Sequence, residues 1–202
     1  MKNFRIISTA ALFAALSFTG CENNSKNGGS LTINAKVEDG NSINNFVDEV
    51  YAIDYSQEII IASAPYKNGG FKITLPEKID ERLLFQITDY FEEEIDGGVK
   101  VSNKYASITN INHFAGYKNN EDVFAFYLEG GNSEKHVTVF YFYVDTDVQI
   151  IGAFEPEWWF QPIKYNMNLK KGWNTVYYIY KGGGIDTRTT QKPDIDLKWC
   201  YY

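Results

Sequence analysis

The chain has 202 residues, 44% hydrophobic, 16% aromatic and 22% charged, with 16 Gly, 5 Pro, 2 Cys and 2 His. These proportions exclude a disordered, collagenous or disulfide-scaffolded protein, and so few Cys and His cannot furnish a four-cysteine zinc site or a histidine-rich metal centre. A net charge of −7 and a pI near 4.9 disfavour nucleic acid as a partner, because such binding needs a basic stripe to displace counterions.

Residues 1–20 read as a signal peptide. Lys2 and Arg5 form a positive leader, residues 6–18 a short apolar segment, and small residues then precede Cys21; this is too short to span a bilayer. The stretch Leu16-Ser17-Phe18-Thr19-Gly20-Cys21 resembles a bacterial lipobox, although Phe18 stands where an aliphatic residue is usual. That resemblance implies that Cys21 is lipidated, with palmitate among its acyl chains, and becomes the first mature residue. An ordinary secretory signal with an incidental Cys21 is the alternative. Each buried methylene contributes about 0.8 kcal/mol, so several chains together anchor stably. Residues 21–30, rich in Asn, Ser and Gly, form a flexible tether. The mature charge is −9 once Lys2 and Arg5 are removed, so acyl chains rather than charge hold the protein to lipid. Cys200 then has no intramolecular partner and reads as a packed, inert thiol.

Beyond the tether, period-two alternation recurs and no segment sustains helical periodicity over three turns. Leu31, Ile33, Ala35 and Val37 alternate with Thr32, Asn34, Lys36 and Glu38, giving a strand with one wet face. Residues 50–55 and 59–63 follow as a strand pair. Lys67-Asn68-Gly69-Gly70 is a turn ahead of the alternating strand 71–75. One helical turn is expected over 76–81 and a strand over 83–88. The acidic run 92–98 reads as a surface loop. Strands are then expected at 105–110, 123–128, 136–144, 148–154, 164–169, 175–180 and 196–202, punctuated by Gly- and Asp-rich turns. Residues 136–144 (HVTVFYFYV) are apolar on both parities after Thr138, which predicts a central strand covered on two faces.

The expected fold is therefore all-β, two packed antiparallel β-sandwich modules with almost no helix. A composition shift suggests the division: residues 30–99 hold 8 aromatics and residues 100–202 hold 22. This places a small β-sandwich module at 31–95 and a larger aromatic-rich one at 100–202. One continuous sandwich is the alternative. Strand 50–55 followed by Asn68-Gly69-Gly70-Phe71-Lys72-Ile73-Thr74-Leu75-Pro76 loosely resembles transthyretin-like and carboxypeptidase-regulatory-like β-sandwiches. Asn168-Leu169-Lys170-Lys171-Gly172-Trp173-Asn174 before a Tyr-rich strand resembles segments of Bacteroidota cell-envelope lipoproteins. With the lipobox, these resemblances imply an outer-membrane, lipid-anchored protein, facing the periplasm or the cell surface, and they carry over no catalytic residue.

No Gly-x-Ser-x-Gly elbow, phosphate-binding loop, HExxH or EF-hand pattern occurs. His113 and His136 read as structural or surface histidines, and the chain is expected not to be an enzyme. Phe154-Glu155-Pro156-Glu157-Trp158-Trp159-Phe160 is the strongest binding candidate. Adjacent Trp residues on one strand cannot both point inward, so an indole is available to stack on a sugar ring. Trp158, Trp159 and Trp173 would stack, while Glu155, Glu157 and Gln161 would receive hydroxyl hydrogen bonds; the competing reading caps the core with these rings. Asp145 with Asp147, Asp194 with Asp196, and the run 92–96 offer carboxylates two apart, which leaves a structural Ca²⁺ open against ordinary turn chemistry. No other cofactor or metal is expected. Tyr177, Tyr178, Tyr180, Tyr201 and Tyr202 form a set of which some must face outward. The expected function is a non-catalytic, lipid-anchored envelope protein presenting a β-sandwich face to a glycan. A protein partner, or a structural role in an envelope complex, is the alternative.

Overall fold

The computed structural model describes residues 29–54, 59–156 and 161–202. Strand β1 (Leu31–Lys36) buries Leu31, Ile33 and Ala35, and β4 (Gly70–Leu75) buries Phe71, Ile73 and Leu75 while Lys72 and Thr74 stay wet. They pair antiparallel from Leu31↔Leu75 to Lys36↔Gly70 and form a two-stranded sheet by themselves. Between them, β2 (Glu49–Asp54) pairs antiparallel with β3 (Ile59–Pro65). The turn from β3 into β4 follows the Asn-Gly signal. Asn68 and Gly69 take φ of 55° and 72°, and Lys67 and Gly70 exchange N–H···O bonds of 2.8 and 3.2 Å. Only residues that tolerate the left-handed region support this tight turn, whose twist matches that of the strands.

The segment after β4 departs from expectation. The helical turn falls at Glu81–Leu83 rather than over 76–81, because Asp80 caps it by accepting from the Arg82 N–H at 3.0 Å. The strand expected at 83–88 shrinks to β5 (Phe85–Gln86), and two short helices follow, α1 (Ile87–Tyr90) and α2 (Glu92–Asp96). Ile87, Phe91 and Ile95 recur every four residues, so a helical path sets them on one face. Ile87 and Phe91 are buried and Ile95 packs against the same cluster. The acidic run thus carries a helix with a wet outer side, not a loop.

The second half adds β6 (Lys100–Val101), β7 (Ser107–Ile111), β8 (Phe114–Lys118), β9 (Glu121–Gly131) and β10 (Lys135–Val144). It continues with β11 (Val148–Phe154), β12 (Ile163–Leu169), β13 (Gly172–Lys181), β14 (Asp186–Thr189) and β15 (Lys198–Tyr201). Strands β6, β8 and β14 were not expected from alternation. The β8–β9 turn is Asn119-Asn120, with φ of 51° and 67°, another left-handed pair that Asn tolerates. One sheet of 13 strands runs β3-β2-β8-β9-β10-β13-β14-β12-β11-β6, with β15 on β9, β7 on β10 and β5 on β7. The fold is all-β. Its strand pairs are antiparallel except β12 with β14, which run parallel.

Strand β10 is covered on both faces, as its sequence demands. Val137, Val139, Tyr141 and Tyr143 enter one buried cluster with β1, β4, Phe114, Phe126 and Trp199. Phe142 and Val144 enter a second with Ile87, Phe91, Ile108, Val148, Ile150, Tyr165, Met167 and Leu169. The neighbouring β13 divides likewise, Trp173, Tyr177 and Ile179 to the first and Val176 to the second. The β10–β13 pair, in register from Lys135↔Lys181 to Val144↔Gly172, is therefore a wall between two cores. The boundary drawn near residue 95 from composition does not divide the sheet. Strand β2 pairs with β8 across it, and the first cluster takes Ile33, Val50, Phe126 and Trp173 together.

Two outcomes follow. Phe142→Ala removes a fully buried ring and should cost about 3–5 kcal/mol in denaturant unfolding, whereas Ile151→Ala on the exposed side of β11 should stay within about 0.5 kcal/mol. Tyr66 is buried and donates to the Gly40 carbonyl at 3.0 Å; burial, and then the charge of Tyr201, push its hydroxyl up to about 12. The unfolded chain releases that proton near the ordinary value of about 10. Between those values the folded chain binds more protons, so stability falls as pH rises through the window. Melting temperatures measured across it should decline less steeply in Tyr66→Phe.

Candidate functional site

Where β2 ends beside α1 and β7, a cavity of about 250 Å³ opens, lined by Ile53, Asp54, Phe85, Asp89, Tyr90, Thr109, Asn110 and Asn112. Strand β2, the consecutive β5 and α1, and strand β7 meet here, and each contributes a different group. Strand β2 delivers Asp54, a carboxylate only 4% exposed. Strand β7 delivers Thr109, buried, whose hydroxyl donates to Asp54 Oδ2 at 3.1 Å. That bond satisfies part of what a buried carboxylate demands. Helix α1 supplies Tyr90. Burial, then the charges of Glu94 and Asp54, drive its hydroxyl well above the ordinary value, so it remains a neutral donor. Asp89 and Asn112 lie at the exposed rim, and the half-buried Phe85 supplies an apolar wall. Convergent carboxylates and amides, with one aromatic and one aliphatic wall, can hold a small polyhydroxylated ligand. None of these lining residues was singled out from sequence. The one available signal was Asp54, a carboxylate closing an otherwise apolar strand.

The residues expected to bind ligand are dispersed. Glu157, Trp158 and Trp159 lie outside the described residues, as does the lipidation residue Cys21. Glu155 is exposed just beyond β11. Gln161 is half-buried, and its Oε1 is buried without a hydrogen-bond partner. Trp173 is corrected: it is 2% exposed, packs edge-on against Tyr143 at 5.5 Å, and donates its indole N–H to the Pro76 carbonyl at 2.8 Å. A ring so enclosed has no face to offer a sugar. Its position on the odd parity of β13 sends it into the first core.

Asp145 and Asp147 are both engaged by hydrogen bonds. Asp147 accepts from Lys170 Nζ and the Lys171 N–H, both at 2.9 Å, and these bonds hold its carboxyl below the usual range. Asp145 accepts from the Ser107 N–H at 2.8 Å. Glu94 accepts from the Tyr165 hydroxyl at 3.1 Å. Among the described residues, no three His, Cys, Asp or Glu side chains gather as a metal site. His113 stacks on Tyr127, with ring centroids 5.2 Å apart, and burial lowers its pKa. His136 sets Nε2 3.2 Å from the Thr138 hydroxyl and 3.3 Å from Glu129. Cys200 is half-buried, and burial pushes its thiol up, which leaves little of the reactive thiolate.

The tyrosine set splits by parity. Tyr177 is buried in the first core, Tyr178 packs against the second, and Tyr180 and Tyr202 are 37% and 70% exposed. Next to Tyr178 stands Arg188 of β14, 8% exposed, its guanidinium carbon 3.9 Å from the Tyr178 ring centre and 4.9 Å from that of Tyr180. Comparison with family models, curated proteins and solved structures finds no match to this chain.

Proposed function

We propose that the chain is a non-catalytic, lipid-anchored envelope protein that binds a glycan in the Asp54 cavity. The observation that carries the reading is the cavity itself: a buried carboxylate, two amides and a tyrosine hydroxyl converge on a space of about 250 Å³ walled by Ile53 and Phe85. Pockets for drug-sized ligands measure roughly 300–1,000 Å³, so this one suits a single sugar ring. Asp54 and Asp89 accept hydroxyl protons, Asn110 and Asn112 both accept and donate, and Phe85 meets the C–H side of the ring. Cys21 carries the acyl anchor, and the outer membrane is where the lipobox resemblance places it.

A protein partner is favoured by one separate observation. Strand β3 ends the long sheet path and shows Ile60 at 54% exposure, and an edge strand of this kind can accept an added strand.

A titration of the purified full chain against a panel of neutral polysaccharides and their monosaccharides should give saturable binding. Asp54→Asn should weaken it about tenfold or more, the effect of removing a charge-assisted bond, with the unfolding temperature as a check on folding. Binding unchanged by Asp54→Asn, or absent across the panel, sinks the reading and moves attention to β3. In cells of the native host, Cys21→Ser should shift the protein out of the membrane fraction and abolish labelling by radioactive palmitate.

A further inference from the structure

The described residues contain two arginines, and their surroundings are opposite. Arg82 is exposed and grips Asp80 through several bonds. Arg188 is more than nine-tenths buried, enters no ion pair or hydrogen bond among the described residues, and leaves Nη1 without a partner. Its contacts are the faces of Tyr178 and Tyr180. Rings partly compensate a guanidinium, which is weakly hydrated and stacks well, but they do not replace the bonds that its N–H groups lose on leaving water. A buried cation without a counter-ion is a costly arrangement.

Three acids on β14, α2 and β9 already accept other bonds. Asp186, two residues earlier on β14, accepts from the Lys181 N–H at 3.0 Å. Glu94 takes the Tyr165 hydroxyl, and Glu129 receives the Tyr202 hydroxyl and lies 3.3 Å from His136.

A second orphan, Gln161, stands two residues before β12 and four before Tyr165, the residue level with Arg188. Tyr165 is level with Arg188 and Ile163 with Asp186, and the Pro162 carbonyl accepts from the Asp186 N–H at 2.9 Å. That bond pins the segment carrying Gln161 beside β14. Tyr178 pairs with Arg188, and Tyr180 lies two residues further along β13, in the direction of Asp186 and Ile163 and hence of Gln161. The guanidinium lies over Tyr178 and Tyr180, and Gln161 has a buried Oε1 that meets no donor. The sheet thus holds an unmet positive donor over Tyr180, which is 37% exposed, and an unmet acceptor in the segment leading into the adjacent β12.

We infer that Arg188 and Gln161 form a recognition site for a sugar acid. The ligand's carboxylate pairs with the guanidinium, one of its hydroxyls donates to Gln161 Oε1, and its ring rests on Tyr180. A planar carboxylate matches the guanidinium fork edge to edge. A ligand lacking hydroxyls would satisfy only one of the two orphans. The choice of a sugar as the body of the ligand rests on the glycan reading above; the carboxylate does not, since the guanidinium alone demands it.

The test is calorimetric titration of the full chain with D-glucuronate and D-galacturonate, beside D-glucose, D-galactose, acetate and the methyl ester of D-galacturonate. One of the two uronates should bind about tenfold or more tightly than its neutral parent, as acetate should not, because loss of a buried charge pair costs at least that factor. Arg188→Gln should erase the preference, while Ile151→Ala, on the exposed side of β11, leaves it intact. Gln161→Ala should weaken the uronate but not acetate. If Arg188→Gln fails to fold, the wild-type comparison of D-galacturonate with its methyl ester decides. A wild-type chain that binds acid and ester, or acid and neutral parent, equally well overturns the inference, as does Arg188→Gln binding like wild type. Neutral-sugar binding that Asp54→Asn abolishes, without any preference for the acid, overturns this site and leaves the glycan reading standing. Acetate binding as tight as that of the uronate overturns the sugar assignment.

Discussion

The two-sided burial of β10 is the constraint from which the rest of the structure follows. A strand with one wet face can end a fold; a strand apolar on both parities must be covered twice. Tyr141 and Phe142 are neighbours in the chain, yet they belong to different cores. Covering the first face recruits the β1–β4 pair, Phe114, Phe126 and Trp199. Covering the second needs α1, α2, β11 and β12. Strand β13 shares the duty because its register with β10 is unbroken over ten pairs, so its parities divide in the same way.

The polar groups sit where that covering runs out. Arg188 lies level with Tyr178, which in turn pairs with Thr138 near the start of β10. There the strand's even face changes from Phe142 and Val144 to Thr138 and His136. Asp54 lies at the end of β2, where α1 and β7 meet it. The buried polar residues are Asp54, Thr109, Thr138, Arg188 and Thr189. Asp54 and Thr109 bond each other, Thr138 contacts His136, and Thr189 accepts from the Gln191 N–H at 3.1 Å. Interiors rarely leave such groups unmatched. Among the described residues Arg188 is met only by ring faces, and Gln161 Oε1 and Trp199 Nε1 are likewise buried without a hydrogen-bond partner.

Much of the strand pattern was legible. Alternation identified β1, β4, β11 and β12 nearly to the residue, and the Asn68-Gly69 pair announced its own hairpin. Three strands escaped for different reasons. Strand β14 reads Asp-Thr-Arg-Thr, with no apolar residue to mark a buried face, and strand β6 is two residues long. Strand β8 contains Gly116, packed close to Phe126 where a larger residue would not fit, so small size rather than alternation is its signature. The α1–α2 segment escaped because Ile87, Phe91 and Ile95 span too few turns to separate period four from chance. The site was far less legible than the fold. Trp173 read as available for stacking because its parity relative to the core depends on which strand lies behind it. Arg188 and Asp54 drew no notice, since a lone charged residue in sequence is most often wet.

What the sequence determined by itself is whatever depends on neighbours along the chain. That comprises strand rather than helix over most of the length, the left-handed turns at Asn and Gly, a central strand with no wet face, and an N-terminal stretch that resembles a lipobox. Only the tertiary structure decided what depends on neighbours across the sheet. It set the parallel β12–β14 pairing, joined residues on both sides of position 95 in one sheet, sealed Trp173 beneath Pro76, and gathered four elements around Asp54. It also left Arg188 between two tyrosine faces, with no ion pair among the described residues. The physical reason is that alternation records how many faces of a strand are covered, whereas the identity of the cover, and any polar group stranded beneath it, is settled by packing between segments that share no local sequence.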